Sequence, residues 1–200
     1  WILLDHLRAM QEPDGESLYL RLTTKPVVQA PFTELVERRG EEAVRQDVLA
    51  GAYWLREPGG GEDTVVIATC GAIVPEVLEA ADVLERDEGV SAGVLCLSSP
   101  DRIYREWRAQ RLTHLGDIRA RRQPSQIERL VPPPLRTAPI VTVIDGASHA
   151  LAWIGSALGM RSVPLGVDTY GQVGDLASVY DAYDLSPEAI VTASLIALEY

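Results

Sequence analysis

Few side chains in this sequence could do chemistry, and their neighbours say what kind. His149 follows Asp145-Gly146 at the end of an apolar run and opens a helix-like stretch. Parallel sheets place their functional loops at such strand ends. The plainer reading, a first-turn histidine facing solvent or a second subunit, is preferred. His6 falls on the polar side of a helical pattern and His114 in a basic segment, so both read as surface residues. Three histidines and two unpaired cysteines give no metal-ligand spacing, which argues against a structural zinc site. Cys70 and Cys96 sit inside apolar runs and read as buried structural thiols rather than a reactive pair. Asp168 and Asp175 flank a loop holding Gly166, Gly171 and Gly174. Glycines let backbone N–H groups approach an anion, but two carboxylates beside them would repel it, so a tight loop at a subunit contact is preferred. Ser98, Ser99 and Ser156 match no nucleophile elbow, which disfavours a hydrolase.

These residues need a scaffold, and the hydrophobic pattern supplies one. Residues 64–70 (TVVIATC), 91–97 (SAGVLCL) and 140–144 (IVTVI) are continuous apolar, β-branched runs bounded by turns. Such runs suit strands buried on both faces. A fourth strand is read over 162–167, and a short one over 52–57 is expected antiparallel at an edge. Helical spacing intervenes at about 75–87, from 100, at 150–158, near 176–183 and at 187–198. Strands alternating with helices imply right-handed crossovers and an α/β fold, a mostly parallel doubly wound sheet with one antiparallel edge strand.

The flanks differ. Ile2, Leu3, Leu4, Leu7 and Met10 form a helical stripe, Glu12–Gly15 a turn, and 17–24 alternates like a strand. Beginning at Trp1 in mid-pattern, the chain reads as a piece of a longer protein. Residues 1–32 are expected to be the trailing helix and strand of a preceding domain, 33–50 a charge-rich linker with a helical piece, and 51–200 the main domain. An arginine-rich insert spans 105–129. Interleaved Glu106, Asp117 and Glu128 favour a solvated amphipathic surface there over a dock for an acidic partner.

Composition narrows the classes. The chain is 46% hydrophobic and 24% charged with net charge −11, which argues against nucleic-acid or anionic-membrane partners. Its apolar runs fall short of the ~18 residues of a membrane helix, and no signal-peptide pattern is present. A cytoplasmic protein is expected.

The motifs also carry a resemblance. Gly51–Glu57 followed by Val65–Ala72 is similar to the "GxYxL" and "IxATG" strands that open a transketolase C-terminal domain. Val163–Gly171 resembles that family's "GxxxFG" loop, and Leu18–Leu22 the last strand of its pyrimidine-binding domain. The homodimeric pyruvate dehydrogenase type fits best, through Tyr53-Trp54-Leu55, Leu97-Ser98-Ser99 and Gly166–Gly171. What the resemblance implies is the C-terminal domain of a thiamine diphosphate- and magnesium-dependent 2-oxoacid dehydrogenase. Such an enzyme is a homodimer that passes an acyl group to a lipoyl-bearing acyltransferase. The cofactor-binding Gly-Asp-Gly…Asn-Asn motif and the activating glutamate of that family are absent from this sequence. No catalytic, cofactor or metal residue is therefore assigned, and the chain alone is expected to be inactive.

The same resemblance puts an active-site histidine of the pyruvate dehydrogenase type at about Gln29, with Pro31 two residues later. Glutamine cannot shuttle a proton near neutral pH. Either the alignment slips by one residue or this branch handles another 2-oxoacid, such as 2-oxobutyrate, or another acceptor. Candidate substrate-side or interface residues are Lys25, Gln29, His149, Asp168 and Tyr170. The alternatives are a transketolase, for which Lys25 and Arg21 are the nearby cations, and a non-enzymatic ligand-binding or partner-docking α/β module.

Overall fold

The computed structural model describes residues 1–60, 63–117, 119 and 123–199. The three apolar runs form β2 (Thr64–Cys70), β3 (Ser91–Leu97) and β4 (Ile140–Ile144), joined by β1 (Ala52–Arg56) and β5 (Ser162–Leu165). The sheet order is β1-β3-β2-β4-β5. The strands from β3 through β5 are parallel, with Ile67 opposite Val94 on one side and Val141 on the other. β1 runs antiparallel to β3 at the edge, with a shift in register between Trp54 and Arg56. At the far edge Pro164 stands opposite Thr142.

Alternation along each strand feeds two cores. Val65, Ile67, Val94 and Val143 face one side; Val66, Ala68, Leu95 and Ile144 face the other. The first face is covered by α4 (Val74–Val83), by α9 (Pro187–Glu199), and by α8 (Leu176–Ala182) through Tyr180. The second is covered by α5 (Pro100–Gly116), α6 (Gln126–Leu130) and α7 (His149–Leu158), through Ile103, Ile127, Leu151 and Ile154. The doubly wound sheet read from the sequence is the sheet observed. Each large aliphatic side chain buried this way contributes about 1.5–3 kcal/mol.

Local chemistry fixes the helix ends. The α4 helix continues through a π-helical turn, Leu84–Glu88, and stops at Gly89, whose φ of 69° an L side chain rarely adopts. A capping box starts α6: the Ser125 backbone N–H donates to Glu128 Oε2 at 2.9 Å. Trp54 Nε1 donates to the Leu130 carbonyl at 2.9 Å, tying the edge strand to α6.

Two expectations for the flanks need correction. Residues 33–50, read as a linker with a helical piece, are helical nearly throughout, in α2 (Ala30–Arg39) and α3 (Glu41–Ala50), which follow α1 (Ile2–Ala9). Leu35, Val44 and Val48 are buried in the same core as the sheet. The abundant charges occupy the outer faces and mask the apolar stripe beneath. Residues 17–24, read as a strand, form none. Tyr19 and Leu22 are exposed, and no described strand pairs with their backbone. Alternation makes a strand only where a neighbour satisfies its N–H and C=O groups.

Ile67 has no solvent exposure and lies in the central strand. Replacing it with alanine is expected to cost about 2–5 kcal/mol of unfolding free energy. Chemical denaturation of Ile67→Ala beside the parent checks this.

Candidate functional site

The chain leaves β2 toward one side of the sheet and β4 toward the other, so a crevice opens between their carboxyl ends. Ligands of open α/β sheets bind at this switch point. Cys70-Gly71 forms one lip and Asp145-Gly146 the other. Gly71 has φ +82°, and a Cβ there would stand 3.0 Å from Asp145 Oδ1. The missing side chain lets the Asp145 carboxylate lie against the exit of β2. Across the lip, Arg21 Nη2 donates to the Asp145 carbonyl at 3.1 Å and lies 3.9 Å from its carboxylate. Four residues on, Lys25 Nζ donates to Glu76 Oε1 at 2.6 Å and sits 5.5 Å from the centre of the Tyr180 ring. Burial, with Glu76 and Asp145 nearby, pushes the Tyr180 phenol up to about 12. The segment carrying Arg21 and Lys25 is thus strapped across the crevice by two ion pairs.

The neighbouring loops close on each other by backbone proximity. A Cβ on Gly166 would come within 2.6 Å of the Gly146 carbonyl and of the Ser148 backbone. Val167 N donates to the Gly146 carbonyl at 2.7 Å. Asp168 accepts from the Ser148 N–H at 2.9 Å and from the Ser148 hydroxyl at 2.6 Å. These bonds hold its carboxyl below the usual carboxylate range. Asp175 is similarly engaged as the N-cap of α8, accepting from Ser178 N at 3.0 Å. Both carboxylates have local structural tasks.

Beside Gly71 the crevice runs into an apolar cavity of about 380 Å³, lined by Phe32, Tyr53, Cys70, Val74, Leu78 and Cys96 among others. Burial pushes the Cys96 thiol up to about 12. Burial, with the Asp145 charge adding to it, pushes the Cys70 thiol up to about 11. Both are free thiols rather than a disulfide. At neutral pH they are protonated and poor nucleophiles.

The five sequence candidates divide. Lys25 lies in the crevice. Gln29 is a lining residue of the cavity, its amide donating to the Val27 carbonyl at 3.0 Å. His149 begins α7 and is exposed beside the Asp168–Ser148 pair. Tyr170 is fully exposed. Sequence reasoning missed Glu76, Asp145 and Tyr180 as partners, and named Arg21 only as a nearby cation. The signal available was the glycine that follows each strand end, Gly71 and Gly146.

Two measurements test this geometry. At pH 8, Cys70 and Cys96 should react with Ellman's reagent far more slowly in the native protein than in denaturant, and equal rates would contradict their enclosure. Asp168 ionises more readily folded than unfolded, so its contribution is present above its ordinary value near 3.8 and fades as pH falls through the lower folded value. Asp168→Asn should therefore remove part of the acid-side loss of stability, visible as a flatter dependence of melting temperature on pH below 5.

Comparison with known proteins places the architecture. Residues 51–186 match the model of the family described as "Transketolase-like TK C-terminal domain". No curated protein matches the chain in sequence. Among solved structures, a split-gene transketolase described as an inactive β4 tetramer superposes with TM-score 0.50 and 21% identity, over 75% of this chain and 43% of that one. The transketolase of Campylobacter jejuni gives 0.53 and 21%, over 74% and 19%. That of Leishmania mexicana gives 0.54 and 16%, over 79% and 19%. The chain thus spans less than half the length of each of these proteins, and at these identities the likeness is one of fold. With the family model matched from β1 through α8, this chain belongs to the transketolase-like C-terminal domain family.

Proposed function

We propose that this chain is the C-terminal domain of a thiamine diphosphate-dependent 2-oxoacid dehydrogenase of the homodimeric pyruvate dehydrogenase type. In that role it supplies subunit contacts and a bed for the segment carrying Arg21 and Lys25, rather than catalytic groups. The observation that carries the reading is the order of the motifs. Gly51–Glu57 covers β1, Val65–Ala72 covers β2 and its exit, and Val163–Gly171 leads from β5 into the loop held by Asp168.

The crevice does not suit a diphosphate held through magnesium. Arg21 and Lys25 each face a carboxylate already, Asp145 and Glu76. Among the described residues, no cluster of three His, Cys, Asp or Glu side chains is placed to hold a metal ion. In this proposal the cofactor is held by other domains of the full-length protein, and the acyl group passes to a lipoyl-bearing acyltransferase. A second reading, transketolase, draws on the fold shared with solved transketolases. Against it, the Lys25 ammonium is engaged by Glu76 at 2.6 Å and is not free for a sugar phosphate.

The full-length protein containing this chain, supplied with thiamine diphosphate and magnesium, should reduce ferricyanide when given pyruvate or 2-oxobutyrate. Ketol transfer between sugar phosphates without 2-oxoacid turnover would replace the first reading by the second. Neither activity would retire both.

A further inference from the structure

The arginine-rich helix α5 remains unexplained by the fold. It is 17 residues long, yet only Ile103 is buried. Its outer face meets α7 through three aromatic rings. Tyr104 and Trp153 pack edge-to-face with centroids 5.1 Å apart; Trp107 lies 5.3 Å from Trp153 and 5.8 Å from Tyr104. Tyr104 is 40% exposed, and further along the helix Leu112 and Leu115 are 51% and 81% exposed. The Trp107 indole N–H, shielded from water, has no acceptor among the described residues.

Charge completes the patch. On and around α5, Arg105 pairs with Glu16 and Asp101, and Arg129 pairs with Glu106. Arg108 and Arg111 are exposed and form no ion pair among the described residues. Arg111 lies over the Trp107 ring, its guanidinium carbon 6.0 Å from the centroid. Tryptophan, tyrosine and arginine are the side chains that most often carry binding energy at protein interfaces. Two guanidiniums with no carboxylate partner among the described residues, beside packed rings, select carboxylates next to an apolar anchor.

From this juxtaposition, we propose that Tyr104, Trp107 and Trp153, with Arg108 and Arg111, form a docking surface for an acidic segment of another protein bearing an aromatic or aliphatic anchor residue. Because the whole chain carries a net charge of −11, the attraction comes from the two guanidiniums alone, and the apolar anchor seated against the rings carries the rest of the binding. The sequence alone favoured a solvated surface for this insert. Trp153, brought in from α7, is what changes the reading.

The test is fluorescence anisotropy of a labelled ten-residue peptide of Glu and Asp with a central Phe-Leu pair, titrated with the chain at low salt. Saturable binding is expected, weakening with added salt. The double variant Arg108→Glu/Arg111→Glu should lose at least about tenfold in affinity. Tyr104→Ala, which removes a ring that belongs to neither core, should weaken binding while leaving the circular dichroism unchanged. A peptide with Lys in place of Glu and Asp should not bind. The proposal is overturned if the acidic peptide fails to bind or if the charge-reversed double variant binds it equally well. It is also overturned if a ten-nucleotide dT strand binds more tightly than the peptide. Self-association of the chain that the double variant abolishes, without peptide binding, would assign the face to a second copy instead.

Discussion

Strand β2 has no free face and no free edge. β3 and β4 take its backbone hydrogen bonds on either side, and its side chains pass alternately into two apolar cores. A strand in that position needs helices above and below, and parallel neighbours reached by crossovers. The direction of the crossovers reverses at β2 and β4, so the same constraint that buries β2 also opens the crevice at its carboxyl end. Core and candidate site are consequences of one burial requirement.

Glycine governs how tightly that crevice is drawn. Gly166 admits the Gly146 carbonyl at a distance a side chain would forbid, and Gly71, at φ +82°, lets the Asp145 carboxylate lie close beside it. The close approach lets a short loop anchored by Asp168 and Ser148 sit beside the ion pairs of Arg21 and Lys25. Solvent-exposed pairs of this kind are worth only about 0.2–1 kcal/mol each. Arg21 is well exposed and Lys25 less so. The strap is consequently fixed in place more by its two separate anchors than by the strength of either.

Much of the fold was legible because strands buried on both faces leave an uninterrupted apolar record. The runs at 64–70, 91–97 and 140–144 could be read directly and carry the parallel sheet. The flanks were less legible for two opposite physical reasons. Residues 17–24 alternate, but alternation describes one strand and says nothing of a partner. Residues 33–50 are rich in charge, yet Leu35, Val44 and Val48 suffice to seat both helices on the core. The candidate site was partly legible: the glycines after β2 and β4 mark the crevice, while Lys25 with Glu76 is a pairing across 51 positions that no local pattern encodes. The ring cluster of Trp107 and Trp153 was hidden in the same way.

The two rims of the sheet have a consequence for growth by strand addition. On one, the register shift between Trp54 and Arg56 bends the outermost strand. On the other, Pro164 removes a backbone donor from a strand of four residues. Irregular or proline-bearing margins of this kind discourage edge-to-edge stacking into fibrils. Higher-order assembly is thereby steered toward helical and loop surfaces, leaving the sheet at five strands.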